Sequence, residues 1–234
     1  MPEIIYGIRP VIEALRSGRR EVFEVLDSTD NKEVRLASSE QNVPLRKAQR
    51  PKIEDLAGGA VHQGVAARVG AYPYVDLDEI FSTPDPLIVV LDGITDPRNL
   101  GAILRVADAA GASGVVIPKD RAAGVTPVAV KASAGASEHV RTARETNLRR
   151  AIDQMKQASV WVYAAEANGT PHTDQDLAGP VALVLGSEGK GIRRLVREGC
   201  DSAVSVPMLG AVSSLNVSVA AAVLLYEARR QRGN

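Results

Sequence analysis

The sequence predicts an α/β fold: a parallel sheet covered on both faces by helices, preceded by a smaller α/β unit. Three observations predict it. From residue 87 onward, short apolar runs alternate with helical segments, as a sheet built from crossover connections requires. Residues 71–86 hold three prolines and four acids between two regions of different texture, which marks a linker. A chain of 234 residues, 45% apolar and 24% charged, suits one large folded domain plus a small one. The expected division is residues 1–70, a linker at 71–86, and a second domain at 87–234.

In the first unit, a helical stretch at Val11 to Arg16 leads to an apolar run at Val22 to Leu26. A polar helix near Asn31 to Glu40, a helical piece at Ile53 to Ala57 and a strand at Val65 to Val69 follow. With 11 basic and 10 acidic residues the unit is neutral, but Arg46, Lys47, Arg50 and Lys52 crowd seven positions, a candidate RNA contact or a solvated loop. In the second unit the strand candidates are Leu87 to Leu91, Gly114 to Ile117, Val160 to Ala164, Val181 to Leu185 and Ala203 to Val206. The helix between the first two is well punctuated, with Asp96 as N-cap, Pro97 at the first helical position and Gly111 just past the end. Leu100, Ile103, Leu104 and Ala107 form its apolar stripe. Another helix begins near Thr146, with Leu148, Ala151, Ile152 and Met155 at the same spacing. The last helix is apolar all round from Val217 to Leu225, which calls for cover on several sides and favours a partner subunit.

Composition excludes several classes. Lys and Arg total 28 against 28 Asp and Glu, so the chain does not blanket nucleic acid with positive charge. The single Cys200 rules out a disulfide framework and a cysteine zinc site within one chain, and His62, His139 and His172 are scattered; no metal is expected. There is no apolar run of about 18 residues. Met1 to Gly18 carries Glu3, Arg9, Glu13 and Arg16 where a signal peptide needs an apolar stretch, so a cytoplasmic protein without membrane association is expected.

Three segments carry candidate chemistry. Gly186-Ser187-Glu188-Gly189-Lys190-Gly191 follows a strand, yet it matches neither the dinucleotide fingerprint nor a P-loop. What remains is a glycine-rich ligand loop with one carboxylate, or a tight turn with a solvated Glu188. Arg98 and Arg105, seven apart, project within about 20° of each other, away from the apolar stripe, as a phosphate grip would, and Asn99 sits in the first turn. Val206-Pro207-Met208-Leu209-Gly210 runs into Ser213, Ser214 and Asn216 ahead of the last helix, a candidate ligand cradle in which Ser213 or Ser214 serves equally well as a plain N-cap.

Taken in this order, the segments resemble the motifs of the SpoU/TrmH branch of the SPOUT methyltransferases. The first is Asp96-Pro97-Arg98-Asn99-Leu100-Gly101-Ala102-Ile103-Leu104-Arg105, the second Leu185 to Gly191, and the third Val206-Pro207-Met208 through Ser214-Leu215-Asn216 to Ala220. The front segment, with Tyr6-Gly7-Ile8-Arg9-Pro10-Val11 and Val61-His62-Gln63-Gly64-Val65, is similar to the RNA-binding domain of ribosomal-protein type in RlmB-like members.

The resemblance implies a SPOUT-type parallel sheet with a carboxyl-terminal deep trefoil knot, a homodimer, and transfer of a methyl group from S-adenosylmethionine to the ribose 2'-oxygen of RNA. It implies an active-site set of Asn99, Arg105, Glu188, Ser214 and Asn216, and cofactor contacts at Ala165, Gly186, Val206 and Leu215. The front domain points to a guanosine in 23S ribosomal RNA. A transfer RNA substrate and a catalytically silent RNA-binding dimer are the alternatives.

Overall fold

The computed structural model describes residues 2–187 and 189–233. Two sheets organise them. The first contains β1 (Glu3–Tyr6), β2 (Val22–Asp27), β3 (Leu45–Lys47) and β4 (Val65–Val69), in the order β1-β4-β2-β3. Strand β4 runs antiparallel to β1 and β2, while β3 is parallel to β2. Side chains alternate across it. Ile5, Val25, Val65, Ala67 and Val69 join Val11, Ile12 and Val34 of helices α1 (Ile8–Ser17) and α2 (Lys32–Glu40), whereas Tyr6, Leu26 and Ala66 pack on Ile53 and Ala57 around α3 (Arg50–Leu56). Helix α2 starts where Asn31 accepts hydrogen bonds from the backbone N–H groups of Glu33 and Val34. Helix α1 stops at Gly18, whose φ of 61° is left-handed.

Residues 71–86 are more than a tether. Tyr72, Leu77 and Ile80 are buried, Val75 forms a parallel bridge with Ala143, and Asp78–Phe81 makes a one-turn helix, α4. The prolines and acids mask apolar anchors that dock this stretch on the second sheet.

That sheet is wholly parallel. Its strands β5 (Leu87–Asp92), β6 (Gly114–Pro118), β7 (Thr142–Glu145), β8 (Trp161–Pro171), β9 (Val181–Gly186) and β10 (Ser202–Ser205) lie in the order β10-β8-β9-β5-β6-β7. All six residues of β5 are buried, so both faces are covered. Leu87, Val89 and Leu91 face helices α5 (Pro97–Ala109), α6 (Pro127–Ala132) and α9 (Val217–Gln231). Ile88 and Val90 face α7 (Leu148–Gln157) and the short α8 (Arg194–Arg197).

Helix α5 has the expected punctuation: Asp96 accepts from the Arg98 N–H, Pro97 opens the helix, and Gly111 follows at φ 60°. Its stripe of Leu100, Ile103, Leu104 and Ala107 is buried, as are Leu148, Ala151, Ile152 and Met155 of α7. Helix α9 buries Val217, Ala221, Leu224, Leu225 and Ala228, but leaves Val219 and Tyr226 47% and 54% exposed. The chain's own core covers only one side of this apolar helix.

Candidate functional site

The carboxyl ends of β8, β9 and β10 enclose a cavity of about 370 Å³. Ligands of open parallel sheets sit at this end, and the volume falls in the roughly 300–1,000 Å³ range of small-molecule sites. Three chain segments build it.

The first wall comes from β8. Its pairing with β10 jumps between Ala203 opposite Ala164 and Val204 opposite Thr170, so the intervening residues leave the ladder. Ala165, Glu166 and Ala167 thereby line the cavity. Ser205 Oγ donates to the Gly169 carbonyl at 2.8 Å and fixes the return. Glu166 accepts from Arg197 Nε at 2.6 Å, which holds its charge in an ion pair.

The second wall is the loop after β9. Ser187 and Gly191 exchange backbone hydrogen bonds at 3.2 and 2.9 Å, and Gly189 and Gly191 take φ of 81° and 65°. A Cβ on Gly186 would lie 2.2 Å from the Gly191 carbonyl carbon, so only glycine permits this closure. Outside the loop, buried Asp92 at the end of β5 accepts from the Arg193 backbone N–H and from its Nε, both at 2.7 Å. That clamp, joining positions 101 apart, has no local sequence signal.

The third wall is the segment entering α9. Val206, Met208, Ser213, Ser214 and Leu215 line the cavity, with Val217, Ala220 and Leu224 of the helix below them. The N-cap is Asn216, not either serine: its Oδ1 accepts from the Ser218 N–H at 2.9 Å and from Ser218 Oγ at 2.6 Å. Its Nδ2 donates to Oδ1 of Asn99 at 3.0 Å, joining the first turns of α9 and α5.

Ala165, Gly186, Val206, Leu215 and Ser214 thus face one cavity, with Asn99 and Asn216 bonded to each other. Arg105 is exposed on α5 and does not line this cavity. Glu188 lies outside the described residues. Glu166 and Asp92, which build or brace the walls, carry no motif signal in the sequence. Glycines, small apolar side chains and main-chain groups suit a flat aromatic base with a polar tail, so these residues fit S-adenosylmethionine. Among the described residues no group of three or more His, Cys, Asp or Glu side chains is placed to hold a metal ion, and no helix is long and apolar enough to cross a membrane.

Comparison with known proteins agrees with this architecture. Residues 86–226 match the SpoU rRNA Methylase family, and residues 4–75 match the model described as RNA 2'-O ribose methyltransferase substrate binding. The chain is 43% identical to the 23S rRNA (guanosine-2'-O-)-methyltransferase RlmB of Escherichia coli K12, covering 99% of this chain and 100% of that protein. It is 41% identical to the putative TrmH family tRNA/rRNA methyltransferase YacO of Bacillus subtilis, covering 98% and 96%. The crystal structure of the SpoU methyltransferase AviRb from Streptomyces viridochromogenes in complex with AdoMet superimposes with a TM-score of 0.85 at 30% identity, covering 100% of this chain and 91% of that one. With the family match spanning more than half its length, the chain belongs to the SpoU rRNA methylase family.

Proposed function

We propose that this protein methylates the 2'-oxygen of a ribose in RNA, with a guanosine of 23S ribosomal RNA as target and S-adenosylmethionine as donor. The observation that carries the reading is end-to-end likeness to RlmB enzymes combined with a cavity lined by the second and third family motifs, to which the first is tied by the Asn216–Asn99 hydrogen bond. Residues 1–70 serve as an RNA-binding domain of ribosomal-protein type, 71–86 as the connection, and 87–234 as the methyltransferase domain with its trefoil knot. The protein works in the cytoplasm.

Ala165, Gly186, Val206 and Leu215 hold the cofactor, mainly by backbone groups and apolar contact. When bound, S-adenosylmethionine supplies an electrophilic methyl group on a positively charged sulfur. The chain must then align the ribose hydroxyl and remove a weakly acidic proton. Alignment alone is worth about 7 to 11 kcal/mol in well-oriented systems. Asn99, Ser214 and Asn216 give neutral hydrogen bonds that fix this geometry, and Glu188 orients the substrate or Arg105. A guanidinium keeps its proton throughout the working range of an enzyme. Arg105 therefore acts as a clamp on the target phosphate, easing negative charge on the ribose oxygen, while that phosphate assists proton removal. Since Arg105 stands outside its own chain's cavity, it reaches a site through a homodimer, which the half-covered face of α9 also favours.

Incubation with labelled S-adenosylmethionine and 23S ribosomal RNA tests the proposal. Label on a ribose 2'-oxygen is expected; unlabelled RNA despite proven RNA binding would overturn it in favour of a silent module.

A further inference from the structure

The amino-terminal unit is pinned to the second sheet by a charge pair sealed from water. Arg20, between α1 and β2, donates from Nη2 to Glu138 Oε1 at 2.6 Å, and their side chains are 1% and 0% exposed. Glu138 belongs to the 3-10 turn Ala136–Glu138 that follows α6. Further contacts flank the pair across the same seam: Arg19 Nη1 donates to the Val140 carbonyl at 2.9 Å, Lys131 Nζ donates to Gln63 Oε1 at 2.7 Å, and His139 Nε2 lies 2.9 Å from Glu13 Oε2. Tyr72 closes the far side, its hydroxyl donating to the Ser137 carbonyl at 2.8 Å and its ring lying 5.8 Å from the Arg20 guanidinium.

Such a pair is a poor source of cohesion. Arg20 Nε and Glu138 Oε2 lack hydrogen-bond partners, and burial pushes the Glu138 carboxyl up against the pull of Arg20. Two apolar side chains of similar size would bind the units at least as tightly. What a buried pair demands is a geometry in which both charges are met, and that geometry is narrower than apolar packing alone requires. It is referred to the catalytic motifs through a stiff path, because a Cβ on Gly101 would lie 2.5 Å from the Ala129 carbonyl oxygen. The backbones of α5 and α6 therefore touch, two residues from Asn99.

We propose that Arg20 and Glu138 are positioning residues for the RNA substrate: they lock the amino-terminal unit to α6 and α5, so that RNA gripped by that unit meets the cavity in fixed register. This rests on the reading of the first unit as an RNA-binding domain.

The test combines a geometric and a kinetic readout on the full chain. Spin labels at Leu36→Cys, in the first unit, and Arg194→Cys, on α8, are placed in a Cys200→Ala background, with labelled chains diluted into unlabelled ones. The parent gives one narrow label-to-label distance. The volume-matched Arg20→Met/Glu138→Leu pair, with Glu138→Gln as the milder variant, broadens it. With 23S RNA the KM rises about tenfold, while kcat and the dissociation constant for S-adenosylmethionine stay within about twofold of the parent. A merely structural role would instead lower cofactor binding and kcat together. A broad distance distribution in the parent, an unbroadened one in both variants, or broadening without a KM change would each overturn the proposal. Loss of methyl transfer in the parent would sink the functional reading instead, leaving the distances to decide the lock.

Discussion

Asn216 faces two ways at once: its Oδ1 caps helix α9 through the Ser218 N–H, and its Nδ2 holds Oδ1 of Asn99 at 3.0 Å. One side chain therefore joins a secondary-structure role to the geometry of the proposed active site, and substitutions separate the two. Serine is as good an N-cap as asparagine but does not reach Asn99. Asn216→Ser is expected to melt near the parent temperature yet lose most methyl transfer. Asn216→Ala is expected to lose the transfer and also about 1 kcal/mol of stability. Thermal melts and labelled-methyl incorporation on both variants check this.

Gly186→Ala is expected to weaken cofactor binding. Its Cβ would overlap the Gly191 carbonyl carbon at 2.2 Å, and backbone cannot yield as a flexible side chain does. The Ser187 to Gly191 loop must open, reshaping one cavity wall. Calorimetric titration with S-adenosylmethionine is expected to show affinity reduced about tenfold or more, equivalent to at least about 1.4 kcal/mol.

Arg105→Lys is expected to lower turnover by about a hundredfold, the loss typical of removing one donor from developing negative charge. Lysine keeps the charge but not the planar fork. RNA and cofactor binding are expected to persist. Near-normal turnover with RNA still bound would show that no guanidinium clamp operates.

Cys200 offers a pH handle. Burial pushes its thiol from 9.0 to about 11, and it lies in the core around α7 and α8. The folded state therefore retains a proton that the unfolded chain releases between pH 9 and about 11. Stability contributed by the protonated thiol is intact below pH 9 and declines as pH rises through that window. Alkylation by iodoacetamide at pH 8 is expected to be slow in the native protein and fast in denaturant, and melting temperature is expected to fall across the alkaline window.

Local punctuation made parts of the fold legible. Asp96, Pro97 and Gly111 bracket α5 to within a residue, and the apolar spacing of Leu148 to Met155 picks out α7. Strand β7, Thr-Ala-Arg-Glu, has no sequence signal because four mixed residues carry no apolar run; only its neighbours β6 and Val75 make it a strand. The apolar run predicts that β8 ends at Ala164, but the strand continues to Pro171 by rejoining β10 beyond the interruption. The site divides likewise. Glycine-bearing loops after strands pointed to Gly186 and Val206, whereas the Asp92 clamp on Arg193 and the Arg20–Glu138 pair depend on contacts more than a hundred positions apart.

The detour of β8 has a cost for the edge of the sheet. A short outer strand, Ser202–Ser205, secures both ends of the excursion that forms one side of the pocket. Fraying at that margin would therefore loosen the ligand chamber before it disturbed the central strands β9, β5 and β6, making occupancy of the chamber and cohesion of the margin two aspects of a single equilibrium.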